Sequence, residues 1–529
     1  LAEAARAVEQ GNSGAARRLA TLALQADSAD ARAWLLLARA QAEALDGAWS
    51  ESARRAAMLP GALGTEAGRA PALARAMLAA NHPSTDRATA RATVEDVLRA
   101  YPDDPTAMRL AAIQRQMTGD FAGAVRLHRH AVALDSAAVA GGGRARSDAW
   151  THEGLIGTLA LLDSTAAAVD AAEWWVARDP ASPRALMARA IALLADERHD
   201  AAIAALREAA RAASAGDVTY GMNGFDPAFE MARFHVAAGR FAEADRLMDG
   251  ILRSGSAEAQ RRALALRVFA LRARRRWGEA LAAARERRRR DVRERPGASA
   301  VEGAWFEAQV LRDMGEPRRA ALLFDSVARF LPPPGHPPPL AARNRAWYGV
   351  QAARALADAG DTTELTRRAD SLAADGARSH FERDARLHHY VRGRLWAARG
   401  DHARAVAEYR AAAFCPAVCY PAVNLALARS LGALGAHAEA ILWLRRARRG
   451  HSATPQHWVT RTEVDSALAE AFAAAGEADS ARAYRARVAR VVAGRDVRPA
   501  AAPRGSGRAS ARNAAYTTAS GTRSGVSSR

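Results

Sequence analysis

The sequence contains no lysine, two cysteines, few aromatic residues and no long apolar run. Each shortage excludes something. Without lysine there is no phosphate-cradling loop of the Gly-x-x-x-x-Gly-Lys type. Two cysteines, Cys415 and Cys419, are too few for a disulfide framework. No stretch reaches the 18 apolar residues of a membrane-spanning helix, and residues 1–10 read as an amphipathic helix, not as a signal peptide. A cytoplasmic location is therefore expected. Neither a His-Glu-x-x-His helix nor a Gly-x-Ser-x-Gly elbow occurs. Strands are scarcely indicated anywhere, which removes the usual α/β catalytic platforms. The chain reads as a non-enzyme with no cofactor.

What is present favours helix. The 529 residues are 50% hydrophobic but only 6% aromatic. Alanine supplies much of the apolar count, and it loses no side-chain entropy in a helix. All 76 basic residues are arginine and the net charge is +19. Such one-sided use of arginine is the mark of GC-rich codons, which load solvated helix faces with charge whether or not a ligand exists. The chain begins with Leu, which points to a trimmed chain or a fragment.

One unit recurs along the chain: a helix with small residues at its centre, a Gly-Asp-like turn, then a second helix opening with alanine. The clearest copy is RLHHYVRGRLWAARGDHARAVAEYRAAAFCPA, residues 386–417, with its turn at Gly400 and small residues at Ala405 and Ala412. Further turn glycines are Gly119, Gly239, Gly315, Gly435 and Gly476. Weaker copies around Ala168, Ala202, Ala280 and Leu365 read as lacking the glycine. The residues opening the second helices are 124, 168, 202, 244, 280, 320, 365, 405, 440 and 481. One of their spacings equals the 34-residue tetratricopeptide period and the others exceed it by loop-sized insertions.

At these residues the chain resembles the tetratricopeptide-repeat family over roughly residues 1–491. The resemblance implies an all-α, right-handed solenoid of about 12–13 antiparallel helix pairs with no sheet. Residues 1–105 are expected to be degenerate pairs and 106–330 regular ones. Residues 331–339 (LPPPGHPPP) would form a proline-rich spacer, 340–491 further pairs, and 492–529 a disordered basic tail. Loops are expected at Gly141–Gly143 and Ser214–Gly224. The stretches YPAVNLALARSL and HWVTRTEVDSALAEAFAAAGEADSARAYRARV also resemble the repeat-rich halves of GC-rich bacterial regulators and kinases.

In this family the first helices line a concave groove. Counting eleven residues back from each second-helix opener selects Arg233, Arg354, Arg394 and Arg429; counting fifteen back selects Phe229, Trp305 and Tyr390. Arginines beside aromatics suit a peptide bearing carboxylates, because guanidinium grips carboxylate in a two-pronged fork. A protein or peptide partner, acidic in character, is the expectation. The rivals are the sensor half of a regulator or kinase whose effector domain lies upstream, and a basic nucleic-acid-binding solenoid. The latter would use residues 272–295, which hold eleven arginines and four acids. The interspersed Glu286, Asp291 and Glu294 favour local ion pairs there over a nucleic-acid patch. Cys415 and Cys419 have the wrong spacing for a redox pair, and zinc would need His388, His389 or His402 as further ligands. No metal site is expected.

Overall fold

The computed structural model describes residues 1–494 except 10, 11, 45, 83, 141–148, 214–218, 221, 222, 225, 295–297, 331–336, 416–420 and 454–458. The Gly141–Gly143 loop, most of the proline-rich stretch, Cys419 and the tail from residue 495 lie outside the described residues.

Twenty-seven helices are described, and all but one single turn form thirteen antiparallel pairs. The first three pairs are α1 (Ala2–Glu9) with α2 (Ser13–Ala26), α3 (Ala31–Glu43) with α4 (Trp49–Met58), and α5 (Glu66–Asn81) with α6 (Arg87–Ala100). Pairs 4 to 6 are α7 (Pro105–Thr118) with α8 (Phe121–Ala140), α9 (Ala149–Leu161) with α10 (Thr165–Arg178), and α11 (Pro183–Ala195) with α12 (His199–Ala212). Pairs 7 and 8 are α13 (Pro227–Ala238) with α14 (Phe241–Ser254) and α15 (Ala257–Ala273) with α16 (Trp277–Glu294). Pairs 9 and 10 are α17 (Ala298–Asp313) with α18 (Pro317–Phe330) and α19 (Pro338–Asp358) with α20 (Thr362–Arg378). The single turn α21 (Glu382–Ala385) precedes pair 11, α22 (Leu387–Ala398) with α23 (His402–Ala412). Pairs 12 and 13 are α24 (Pro421–Ala433) with α25 (His437–Ala453) and α26 (Arg461–Ala474) with α27 (Ala478–Val492). The chain is thus an all-α solenoid of tetratricopeptide-like pairs. Two details depart from expectation. A two-residue antiparallel ladder, Thr219–Tyr220 with Asn223–Gly224, sits in the loop before α13. Pro338 and Pro339 belong to α19 instead of the spacer, since a first helical turn needs no N–H from either.

Pairs 4 to 13 share one local design. The ten residues that open the second helices are each the fourth residue of their helix and at most 1% exposed. Twelve residues earlier, on the first helix, eight of the ten positions hold Ala or Gly: Ala112, Ala190, Ala232, Ala308, Ala353, Gly393, Ala428 and Ala469. These two small positions let the helices of a pair approach. At Gly393 a Cβ would come within 2.5 Å of the Tyr409 ring. Five residues before every opener the backbone turns left-handed: Gly119, Asp163, Glu197, Gly239, Arg275, Gly315, Gly360, Gly400, Gly435 and Gly476. In all ten turns the following N–H donates to the carbonyl five residues back, at 2.8–3.0 Å. This is the Schellman closure of a helix C-terminus. The copy at Leu365, read from the sequence as lacking its glycine, has Gly360.

Tight packing at the openers makes them intolerant of volume. Ala405→Leu is expected to overpack the α22–α23 contact and to destabilise by about 1 to 3 kcal/mol. Urea unfolding followed by circular dichroism reads this directly; an unchanged midpoint would put the repeat phase in error.

The solenoid does not stay open. α11 packs on α25, α15 on α26 and α7 on α21, each joining pairs five or more apart. Phe121 meets Phe414 edge to face at 5.4 Å, and Arg87 pairs with Glu382 at 2.5 Å. Val491 of α27 joins the apolar cluster of Ala232, Phe241, Phe269 and Ala273 in pairs 7 and 8. The last pairs lie against the middle ones, so the inner face of the solenoid is largely an interior.

Candidate interaction surface on the first helices

That interior holds charge at both ends. Towards the N-terminus, α3, α9 and α11 bring Glu43, Glu153 and Arg184 together. Arg184 Nε donates to Glu153 Oε1 at 2.7 Å, and its Nη1 lies 3.6 Å from Glu43 Oε1. The Trp150 indole N–H donates to Glu43 Oε1 at 2.6 Å. All three charged residues are buried. Sequence reasoning missed this cluster, although the fifteen-residue count applied to Ala168 points to Glu153.

Towards the C-terminus, successive first helices each deliver one guanidinium: Arg312 from α17, Arg354 from α19, Arg394 from α22 and Arg429 from α24. Arg312 Nε and Arg394 Nη2 each donate to Asp358 at 2.6 Å. Arg354 Nη2 and Arg429 Nη2 face Glu463 Oε1 of α26 at 4.0 and 3.7 Å. Arg272 joins through Asp313, at 2.6 Å, and Asp313 in turn accepts from Arg312 at 3.1 Å. Burial and the neighbouring Arg312 pull Arg354 down to about 10. Burial works to raise the Asp358 carboxyl, but Arg312, Arg394 and Arg354 outweigh it and bring it to about 2.

The sequence count therefore brought Arg354, Arg394 and Arg429 onto one face, and Arg312 is the member it passed over. Their presentation is corrected. The expected open row is a closed ion-pair network, in which Arg354 is 2% exposed and Arg429 alone is half-exposed. Arg233 stands apart, donating to Glu230 at 2.7 Å. The aromatics are not displayed as a row either. Tyr390 is 1% exposed beside Tyr409, and Trp305 is buried against Phe306. Phe229 is half-buried under the Arg262 guanidinium at 4.0 Å. Arg354 is covered by Glu463 of the last pair, whereas Tyr390, Trp305, Arg233 and Arg394 are satisfied within their own or the neighbouring pair.

The arginine-rich stretch of α16 is also paired internally. Arg285 and Arg288 donate to Glu307, Arg289 and Arg290 to Glu286, and Arg287 to Asp291. Arg285, Arg288 and Arg289 line a shallow 420 Å3 depression with Val292 and Glu307.

Cys415 is buried and disulfide-bonded. Among the described residues no three His, Cys, Asp or Glu side chains form a metal-holding group. His388 Nδ1 lies 2.8 Å from the Ala385 carbonyl and His389 Nδ1 2.7 Å from Glu408. Among the described residues no helix is long and apolar enough to cross a membrane.

No family model and no curated protein matches the chain. Several solved structures are similar to it. Human IFIT1, a dimer with PPP-AAAA, is 16% identical over 82% of this chain and 91% of its own, at a TM-score of 0.35. A Rap protein complexed with competence and sporulation factor is 9% identical over 80% and 97%, at 0.35. The Cut9–Hcn1 hetero-tetramer of the APC/C is 13% identical over 77% and 84%, at 0.29. At these scores the superpositions decide nothing further; the fold stands on the pairs and turns described above.

Proposed function

We propose that the chain is a protein-binding scaffold, and that the network around Asp358 and Glu463 is where it takes an acidic segment of its partner. The observation that carries this reading is the convergence of Arg312, Arg354, Arg394 and Arg429 from four successive first helices. Stacked pairs align their first helices side by side, and this is where those helices concentrate one kind of group. A carboxylate of the partner would enter beside the half-exposed Arg429 and share guanidinium donors now turned to Asp358 and Glu463. Competition with those two acids sets the affinity low and the selectivity for paired carboxylates high.

The test is a fluorescein-labelled Asp/Glu-rich decapeptide titrated with the full chain and read by anisotropy. Arg394→Gln with Arg429→Gln is expected to weaken binding at least tenfold, the scale of losing one charge-assisted contact of about 1.5 to 3 kcal/mol. Arg289→Gln with Arg290→Gln removes as much charge from α16 and should leave binding unchanged. Equal weakening by both variants would reduce the site to diffuse attraction by a basic protein.

A further inference from the structure

The ten turns that link first to second helices share one backbone geometry, yet three lack the residue suited to it. Asp163, Glu197 and Arg275 hold φ of 64, 61 and 58°. They are the non-glycine residues with positive φ among those described. In this conformation a Cβ crowds the following carbonyl, so glycine is the residue of least strain. Seven of the ten turns use it. The backbone hydrogen bonds of the other three turns match those of the glycine turns.

The return comes from far along the chain. Asp163 accepts two hydrogen bonds from Arg449 of α25, both at 2.7 Å, and lies 3.5 Å from Arg446. Glu197 accepts from Arg461 of α26 at 2.9 Å and pairs with Arg448 of α25. Arg275 donates to Ser466 of α26 at 3.4 Å. Between Glu197 and Arg275 lies the turn of pair 7, which keeps Gly239; there the contact is made by backbone, Arg461 donating to the Ala237 carbonyl. Every non-glycine turn thus spends its side chain on α25 or α26. Burial would raise the Glu197 carboxyl, but Arg448 and Arg461 hold it below its ordinary value.

We propose that Asp163, Glu197 and Arg275 form the fixed half of an ionic clasp whose moving half is Arg446, Arg448 and Arg449 of α25 with Arg461 and Ser466 of α26, and that the clasp switches the solenoid between this closed form and an open one. The links within each pair and between neighbouring pairs are mainly apolar. Those across the clasp are mainly polar, between side chains 9–28% exposed. Opening bares Arg446, Arg448, Arg449 and Arg461 together with the inner face of pairs 5 to 8. The clasp does not depend on where the partner binds.

The three positions supply their own test. In Asp163→Gly with Glu197→Gly and Arg275→Gly, each turn receives the residue that the other seven already use, so the repeats keep their fold while the clasp is lost. Small-angle X-ray scattering of the full chain at near-physiological salt should then give a larger radius of gyration than the wild type, with helix content by circular dichroism unchanged. Arg449→Gln with Arg461→Gln, which leaves the turns untouched, should expand the chain in the same way. Variants as compact as the wild type overturn the proposal. So does a glycine variant that loses helix while the arginine variant stays compact, since the three residues would then serve only their own turns.

Discussion

Replacing Arg184 by methionine is expected to destabilise the protein by about 3 to 5 kcal/mol, the range for breaking a buried charge cluster by removing one member. Arg184 lies between Glu43 and Glu153, and the residues come from pairs 2, 5 and 6. Methionine roughly preserves the apolar stem and removes the charge. Two buried carboxylates would then face each other across an apolar gap, and one must take up a proton or the helices must part. Adding Glu153→Gln to Arg184→Met should recover part of the loss, because one of the two stranded charges is gone. Urea unfolding followed by circular dichroism reads the loss. Should Arg184→Met shift the midpoint no more than a surface substitution does, the cluster would not be holding these helices together.

The second large effect is expected from Gly376→Ala, a change that normally favours a helix by about 1 kcal/mol. Gly376 lies near the end of α20, where α21 crosses it. A Cβ there would stand 2.4 Å from the Asp384 carbonyl oxygen and 2.8 Å from the Ala385 Cα. Both are backbone atoms of a turn fastened by the buried Asp384 carboxylate, which accepts from Ser379 Oγ at 2.6 Å. They cannot give way as a flexible side chain would, so the loss should reach the upper end of overpacking, about 3 kcal/mol. Gly157→Ala in α9 is the control. No heavy atom lies within 4 Å of that Cβ position, and the substitution should be neutral or stabilising. Thermal melts of the two variants should move in opposite directions; equal shifts would contradict the close crossing of α20 and α21.

The repeat was legible because it is written in local terms. A buried alanine, a small partner twelve residues earlier and a left-handed residue five earlier are fixed offsets within one pair. Ten openers could be placed by eye, and all ten are buried. Curvature was not legible. Whether pair 12 touches pair 5 depends on small rotations accumulated over many interfaces, and no residue spacing records their sum. Arg354 and Tyr390 were therefore expected in a solvent-facing groove and are buried instead. The turns at Asp163, Glu197 and Arg275 did carry a signal. Each is a missing glycine, taken from the sequence as decay of the repeat, where a side chain at a strained position marks a contact made elsewhere.

Closure also orders the way this chain reaches its structure. A linear array of repeats folds neighbour by neighbour, and each step closes a loop of only a few tens of residues. Arg87 to Glu382, Asp163 to Arg449 and Ala273 to Thr462 are separated by 295, 286 and 189 residues. Such links form only after their entropy of loop closure has been met by the ordered array between them, which brings the distant ends into register. The low contact order of a helical repeat thus governs the early steps, and a few very long-range contacts govern the last. During synthesis from the N-terminus, pairs 1 to 11 emerge and stack before α25 and α26 exist to join them. By then Glu382 and Phe414 can already reach back to Arg87 and Phe121, and the rest of the closure waits for α25 and α26.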